Sequence, residues 1–321
     1  MRTALLLLLT PALLAAQTPT PEQLYRERKH DELRKAMTEN LGRNKNDHRS
    51  MYWIGRAYED EDKFGEAIDW FEKAAKLNDT SALYHMWIGN AAGGAAQRAN
   101  KLKQPFLARK VKAEFERAVA LDPKMLDPRF GLVSFYTQAP GFMGGSVEKA
   151  KQQAVEIAKL HPFRGHFADA QIARELKDVP GEEKAYKAAL AAALVAAADS
   201  VVTFYQLGSF YRRQSRWQDA LTVYDSLMKR HPQEIPVHGS WGVVAAQNGL
   251  HLERAERELK IWLSAVPKEA NVQTISFIHY ALGLVYEKTA RKEPARAEYT
   301  EAIKHNPQNA DAKKALAALP K

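Results

Sequence analysis

His161 and His166 flank Pro162-Phe163-Arg164-Gly165, a spacing at which two imidazoles could share a metal. A zinc site needs three or four protein ligands. No third ligand stands at a suitable distance, and His161 occupies a helix-ending position, so no metal site is expected. Gly144-Gly145-Ser146, followed by Val147 and Glu148, can open a helix whose first N–H groups are able to receive an anion. It is no phosphate loop, because the lysine and the Ser/Thr at the required spacing are missing. The same turn could simply pack Phe142 and Met143 onto a neighbouring helix. The chain shows no HExxH, no nucleophile elbow and no paired-carboxylate pattern. No catalytic residue and no cofactor are expected, and the reading is of a non-enzyme. Basic runs at Arg109-Lys110, at Arg212-Arg213 with Arg216, and at Arg254 with Arg257 and Lys260 read as solvated helix faces. The net charge of +9 is spread along the chain. It favours acidic partners by steering, while a nucleic acid is not expected.

The elements that must carry these residues recur along the chain. Gly55 and Gly89 lie 34 residues apart, in Trp53-Ile54-Gly55 and Trp87-Ile88-Gly89, and Gly208 and Gly242 keep the same interval. Gly283 follows in Ala281-Leu282-Gly283. Each glycine marks a place where two helices cross closely, since only a very small residue admits another backbone. Three residues on come Tyr58, Ala92, Tyr211, Ala245 and Tyr286. About twelve residues on, Ala67, Ala220 and Ala295 open the inner face of a second helix, followed after four by Phe71, Tyr224 and Tyr299. These intervals put one apolar stripe on each helix. Asp122-Pro123, His161-Pro162, His231-Pro232, Val266-Pro267 and Asn306-Pro307 each end a helix.

Length and composition set the remaining bounds. The 321 residues are 45% hydrophobic and 26% charged, which excludes a wholly disordered chain or a polytopic membrane protein. Met1-Arg2, the apolar Ala4 to Leu14 and Ala15-Ala16 have the layout of a signal peptide, too short to span a bilayer. Cleavage is expected after Ala16, the alternative being an uncleaved anchor; loss of Arg2 takes the charge from +9 to +8. Residues 17–21 read as a flexible leader. With no cysteine there is neither a disulfide nor a lipid-bearing lipobox, and a periplasmic or secreted location is expected.

The small and aromatic positions, the 34-residue period and the proline stops resemble the tetratricopeptide repeat family. The resemblance implies an all-α fold, an αα-superhelix in the form of a right-handed solenoid of antiparallel helix pairs. The expected layout is one solenoid over residues 22–321 with about seven helix pairs. Units 48–81, 201–234 and 276–309 match almost throughout, and 235–269 has one extra residue. Units 82–125 and 126–162 carry about ten and about five extra residues, and 163–200 is degenerate, with Ala185 and Ala189 where its second helix should pack. A partial unit from about Pro21 to Asp47 precedes them, and a closing helix from Asn309 to Leu319 protects the last edge. One helix pair cannot bury its own apolar face, so neighbours stack.

In this family the first helices line the concave face, with the second, fifth, ninth and twelfth positions facing the groove. Carried over, the partner-binding residues are Tyr52, Arg56, Met86, Asn90, Phe130, Ser134, Tyr205, Ser209, Arg212, Tyr280 and Glu287; Gly239 and Val243 also stand at fifth and ninth positions. Rigid rings with a few cationic or amide groups suit an extended peptide. Tyr52, Met86 and Phe130 do not supply the lysine by which well-known members clamp a C-terminal carboxylate. The function so implied is a non-catalytic scaffold or adaptor binding an unidentified protein or peptide in the bacterial periplasm or envelope. The alternative comes from the insertions, Gly93-Gly94 through Pro105 and Ala139 through Ser146. Their placement resembles a subgroup that includes helper subunits beside the periplasmic solute-binding proteins of transporters. It implies a ligand-binding accessory protein with a pocket closed by 93–105 and 139–146, where a small molecule is also possible.

Overall fold

The computed structural model describes residues 19–196, 200–266 and 270–320. The expected signal peptide and leader start lie outside the described residues. Within them the fold is all-α, with seventeen α-helices and one 3-10 turn. Backbone contacts divide the chain into two compact units, Met1–Gln153 and Ala154–Lys321.

The first unit runs α1 (Pro21–Arg26), α2 (His30–Arg43), α3 (His48–Asp60), α4 (Phe64–Leu77), α5 (Ala82–Arg98), α6 (Gln104–Leu121), α7 (Leu126–Gln138), the 3-10 turn Gly141–Met143 and the start of α8 (Val147–Leu160). The second continues through α9 (Pro162–Glu175), α10 (Val179–Ala196), α11 (Ser200–Arg213), α12 (Trp217–Arg230), α13 (Ile235–Asn248), α14 (Leu252–Ser264), α15 (Val272–Lys288), α16 (Lys292–His305) and α17 (Ala310–Ala318). Within each compact unit consecutive helices pair, as α3 with α4 and α15 with α16, and the second helix of a pair packs on the first of the next, as α4 on α5 and α12 on α13. The front segment expected as a partial unit is itself a hairpin, α1 being only six residues long.

The glycine crossings are where the spacing places them. A methyl on Gly55 would lie 2.6 Å from the Phe71 ring, on Gly89 2.7 Å from Phe115, on Gly208 2.5 Å from Tyr224 and on Gly283 2.4 Å from Tyr299. In these four pairs an aromatic of the second helix lies against the glycine of the first, while Gly242 meets Leu259. In the first unit Leu24, Leu33, Met37, Ile54 and Ala57 form one cluster, and Ala67, Phe71, Ala74, Tyr84 and Ile88 another. In the second, one continuous core runs from Ala170 to Leu319. Within the degenerate segment, α9 and α10 pack as an ordinary hairpin, with Ala185 and Ala189 buried.

Two recurring devices had no sequence signal. The turn inside most pairs holds a single non-glycine residue in the left-handed region: Arg28, Asp62, Lys177, Ser215, His251 or Ala290, with φ between 46° and 62°. A left-handed non-glycine residue costs about 1–2 kcal/mol, which the packed hairpin offsets. At the fourth position of three units a histidine bridges to a second-helix carboxylate: His85 to Glu114 at 2.7 Å, His238 to Glu258 at 2.5 Å and His279 to Glu298 at 2.7 Å.

Of the basic runs expected as solvated faces, Lys110, Arg213, Arg216 and Arg254 are ion-paired between repeats. In the second unit Arg213 meets Glu182, Arg216 meets Glu183, Arg254 meets Asp225 and Arg291 meets Glu256. In the first, Lys110 meets Glu72 and Arg117 meets Asp79. Hydrogen bonds from Lys187, then Arg216 and Tyr211, hold Glu183 down at about 2 against the opposing effect of burial. Arg291 and Lys260 hold Glu256 down to about 2 in the same way.

Candidate functional site

The insertion at 93–105 is not the loop its glycines suggested. Gly93 and Gly94 sit inside α5, which runs on to Arg98, and only residues 99–103 leave the helix. The physical reason is local: Ala91, Ala92, Ala95 and Ala96 surround the glycine pair with the strongest helix former, and Pro105 then opens α6 at its first turn. The extra residues therefore lengthen two helices. The insertion at 139–146 is a true connection, built around the 3-10 turn and Gly144 at φ 99°.

The lengthened helices and this turn frame one open cavity of about 450 Å³. Helix α5 supplies Asn90, Gly93, Gly94 and Gln97; α6 supplies Gln104, Ala108, Val111 and Phe115; α7 supplies Gly131, Ser134, Phe135 and Gln138. On each helix these residues follow three- and four-residue steps, so each presents one stripe to the same space. Ala139, Pro140 and Met143 close the remaining side. Phe115 forms the floor between two glycines; a methyl on Gly89 or Gly131 would lie 2.7 or 2.5 Å from its ring. The polar lining is Asn90, Gln97, Gln104, Ser134 and Gln138, with no ionisable side chain among the lining residues.

Around the cavity, large apolar side chains face solvent. Leu102 is 82% exposed, Phe106 72% and Phe142 88%. The turn does half of what a packing role required: Met143 is half-buried and lines the cavity, whereas Phe142 points away from the fold. The helix start after Gly144-Gly145 is capped from within, since the Ser146 hydroxyl accepts the Lys149 N–H at 3.3 Å.

The groove positions fall into one set per unit. In the first, Tyr52 stacks between Phe71 and Tyr84 at 6.0 and 5.7 Å. Arg56 lies over Trp87 at 3.6 Å and donates to the hydroxyls of Tyr52 and Tyr25, at 2.8 and 2.7 Å. Beside it, burial pushes the Glu59 carboxyl up, with Asp60 and Asp62 adding to the shift and Arg56 opposing it. Met86 is 4% exposed and belongs to the core. Phe130 is half-buried on α7, and Asn90 and Ser134 meet in the cavity. In the second unit, Tyr205 packs on Tyr224 at 6.2 Å and donates to Glu234; burial, then Glu234, pushes its hydroxyl up. Tyr280 packs on Tyr299 at 5.9 Å, and Glu287 accepts the Tyr299 hydroxyl. Ser209 is half-buried and Arg212 is exposed.

Gln138, Phe115 and Phe135 were not singled out from the sequence. Gln138 could have been reached by stepping four residues from Ser134 along α7. Among the described residues no group of three or more His, Cys, Asp or Glu could hold a metal, and no helix is long and apolar enough to cross a membrane.

Comparison with protein-family profiles gives tetratricopeptide repeat matches at residues 24–82, 203–235 and 278–309. A further match, to the TRAP transporter T-component, spans residues 60–217 and so takes in the whole cavity lining. Among solved structures, the APC/C hetero-tetramer Cut9-Hcn1 is similar over 94% of this chain, with 14% identity and TM-score 0.45; this chain spans only 48% of that one. A repeat protein from Parabacteroides merdae is 12% identical over 84% of this chain and 97% of its own, with TM-score 0.45. MamA is 19% identical over 56% of this chain and 98% of its own, with TM-score 0.44. No curated protein matches the sequence.

Proposed function

The chain belongs to the tetratricopeptide repeat family, whose repeats support protein interaction, and from that premise we propose that it is an accessory scaffold of a TRAP-type transport system in the bacterial envelope. In this reading it is non-catalytic. It docks a partner protein through the exposed residues of the two insertions and holds a small ligand in the cavity they frame. Export by the segment ending at Ala16 belongs to the same proposal.

The observation that carries it is the convergence of both insertions on one cavity inside the segment that resembles the T-component. A repeat built only to stack needs neither the lengthened α5 and α6 nor three large apolar side chains in water. The lining also defines the ligand. Five amide or hydroxyl side chains and a Phe115, Phe135 and Met143 surface fit a neutral molecule with hydrogen-bonding groups. An ion would lose its hydration there without a counter-charge.

The test mixes the purified mature chain with the solute-binding subunit of a TRAP-type transporter from the same cell and measures association by sedimentation. Association is expected, and Phe142→Asp should weaken it about tenfold or more by putting a charge on a buried contact. Absence of any complex at about 100 µM of each protein would overturn the docking role, since even transient complexes are populated there.

A further inference from the structure

The fifth position of the repeat is a ring in two units of the second half, Tyr205 and Tyr280, but a glycine in the unit between them, Gly239. Where the ring is missing there is a hollow of about 350 Å³. Its walls are Val243, Trp262, Phe277 and Ile278, and Arg212 stands among the lining residues. Trp262 lies so close that a methyl on Gly239 would be 2.7 Å from its Cδ1. The glycine therefore lets the buried indole, 2% exposed, pack against the α13 backbone at the base of the hollow.

Arg212 differs from its neighbours. Arg213, Arg216, Arg254 and Arg291 are each held by a carboxylate of another repeat. Among the described residues Arg212 forms no ion pair. It interacts with the buried Tyr224 hydroxyl, is itself exposed, and lines the hollow. It is the one ionisable group in the lining, with the hydroxyls of Ser240 and Thr274 beside it.

We propose that this hollow is a second binding site, for a small carboxylate whose aromatic or branched apolar body lies beside Gly239 against Phe277 and whose anion pairs with Arg212. An apolar wall with a single cation at its edge discriminates twice. The body gains by leaving water, and the guanidinium selects a planar carboxylate over a neutral group through paired N–H donors. The volume sits at the small end of the range of about 300–1,000 Å³ for ligand sites, which matches one ring or branched chain rather than a long polymer. The site shares no lining residue with the first-unit cavity, whose lining carries no charge, and does not depend on the transport reading.

The full mature chain is titrated calorimetrically with 3-phenylpropionate and with its amide, 3-phenylpropanamide. The acid should bind saturably and the amide about tenfold or more weaker, as expected for a charge-assisted pair. Arg212→Gln should bring the acid down to the level of the amide while leaving the amide unchanged. Phe277→Ala should weaken both ligands alike. Arg212 and Phe277 are exposed, so circular dichroism should report wild-type helicity for both variants. The proposal is overturned if acid and amide bind equally, if Arg212→Gln binds the acid as the wild type does, or if the acid shows no saturation at about 10 mM, below which even a ligand of this size should register.

Discussion

Adjacent glycines in α5 should respond in opposite ways to the same substitution. Gly93 and Gly94 both lie in the body of the helix, where replacing glycine by alanine gains about 1 kcal/mol of helix propensity. A methyl on Gly93 meets nothing nearer than Val111 Cγ2 at 4.0 Å, which is ordinary contact. On Gly94 it would fall 2.5 Å from both Cε1 and Cζ of Phe64 and 2.8 Å from Cδ1. The Phe64 ring must retreat by about 1 Å to restore normal contact, and overpacking of this kind costs about 1–3 kcal/mol. Phe64 is only half-buried, although Arg98 lies over its ring at 4.8 Å, so the lower half of that range applies. Gly93→Ala should therefore stabilise by about 1 kcal/mol, and Gly94→Ala should be neutral to about 1 kcal/mol destabilising. The helix term is common to both, so their difference of about 1–2 kcal/mol isolates the contact with Phe64. Urea unfolding followed at 222 nm measures it. Equal midpoints, or a more stable Gly94→Ala, would refute the claim that the insertion is helical and packed on α4.

Three further outcomes follow from the packing and the charges. Phe115→Ala, which removes the ring between Gly89 and Gly131, should cost about 3–5 kcal/mol in urea unfolding, the range for a buried phenylalanine. Ala290→Gly should raise the unfolding free energy by about 0.5–1 kcal/mol in urea unfolding, because φ 58° carries a Cβ penalty that glycine lacks. Glu183 and Glu256 have folded pKa values lowered to about 2 from 4.5, so their stabilisation is complete above about pH 4.5 and is lost as the pH falls toward 2. Their partners are partly exposed, so each pair contributes about 1 kcal/mol rather than the full shift. In acid unfolding, Glu183→Gln with Glu256→Gln should be less stable than wild type at pH 7 and converge with it near pH 2.

Much of the repeat was legible because it rests on sterics that repeat with it. Gly55, Gly208 and Gly283 announce a crossing, and Phe71, Tyr224 and Tyr299 announce what crosses there; the structure joins each pair. The proline stops after α6, α8, α12 and α16 mark real helix ends for the same local reason. The tight turns were not legible, since nothing about Ala290 or Lys177 advertises a left-handed backbone that the surrounding hairpin imposes. Nor was the path of 93–105, where glycine suggested a loop and four alanines with tertiary packing made a helix. The arginine pairs depend on which carboxylate the preceding repeat brings near, a relation across about thirty residues that no single helix encodes. In the cavity, Asn90 and Ser134 were named for a peptide groove. They line the cavity from the same register position of α5 and α7, first helices of successive repeats.

The distribution of the tight turns has a consequence for how such a chain can be altered. Hairpins closed by one left-handed residue have a connection of fixed length, and inserting there would break the geometry that spaces the helices. The α5–α6 pair and the chain after α7 are joined without that residue, and those are the two places that hold the cavity. They act as exchangeable cassettes within an otherwise rigid specification. Segments 99–103 and 139–146 could be replaced by others of different length, changing what is bound, while the crossings at Gly55, Gly89, Gly208 and Gly283 stay as they are.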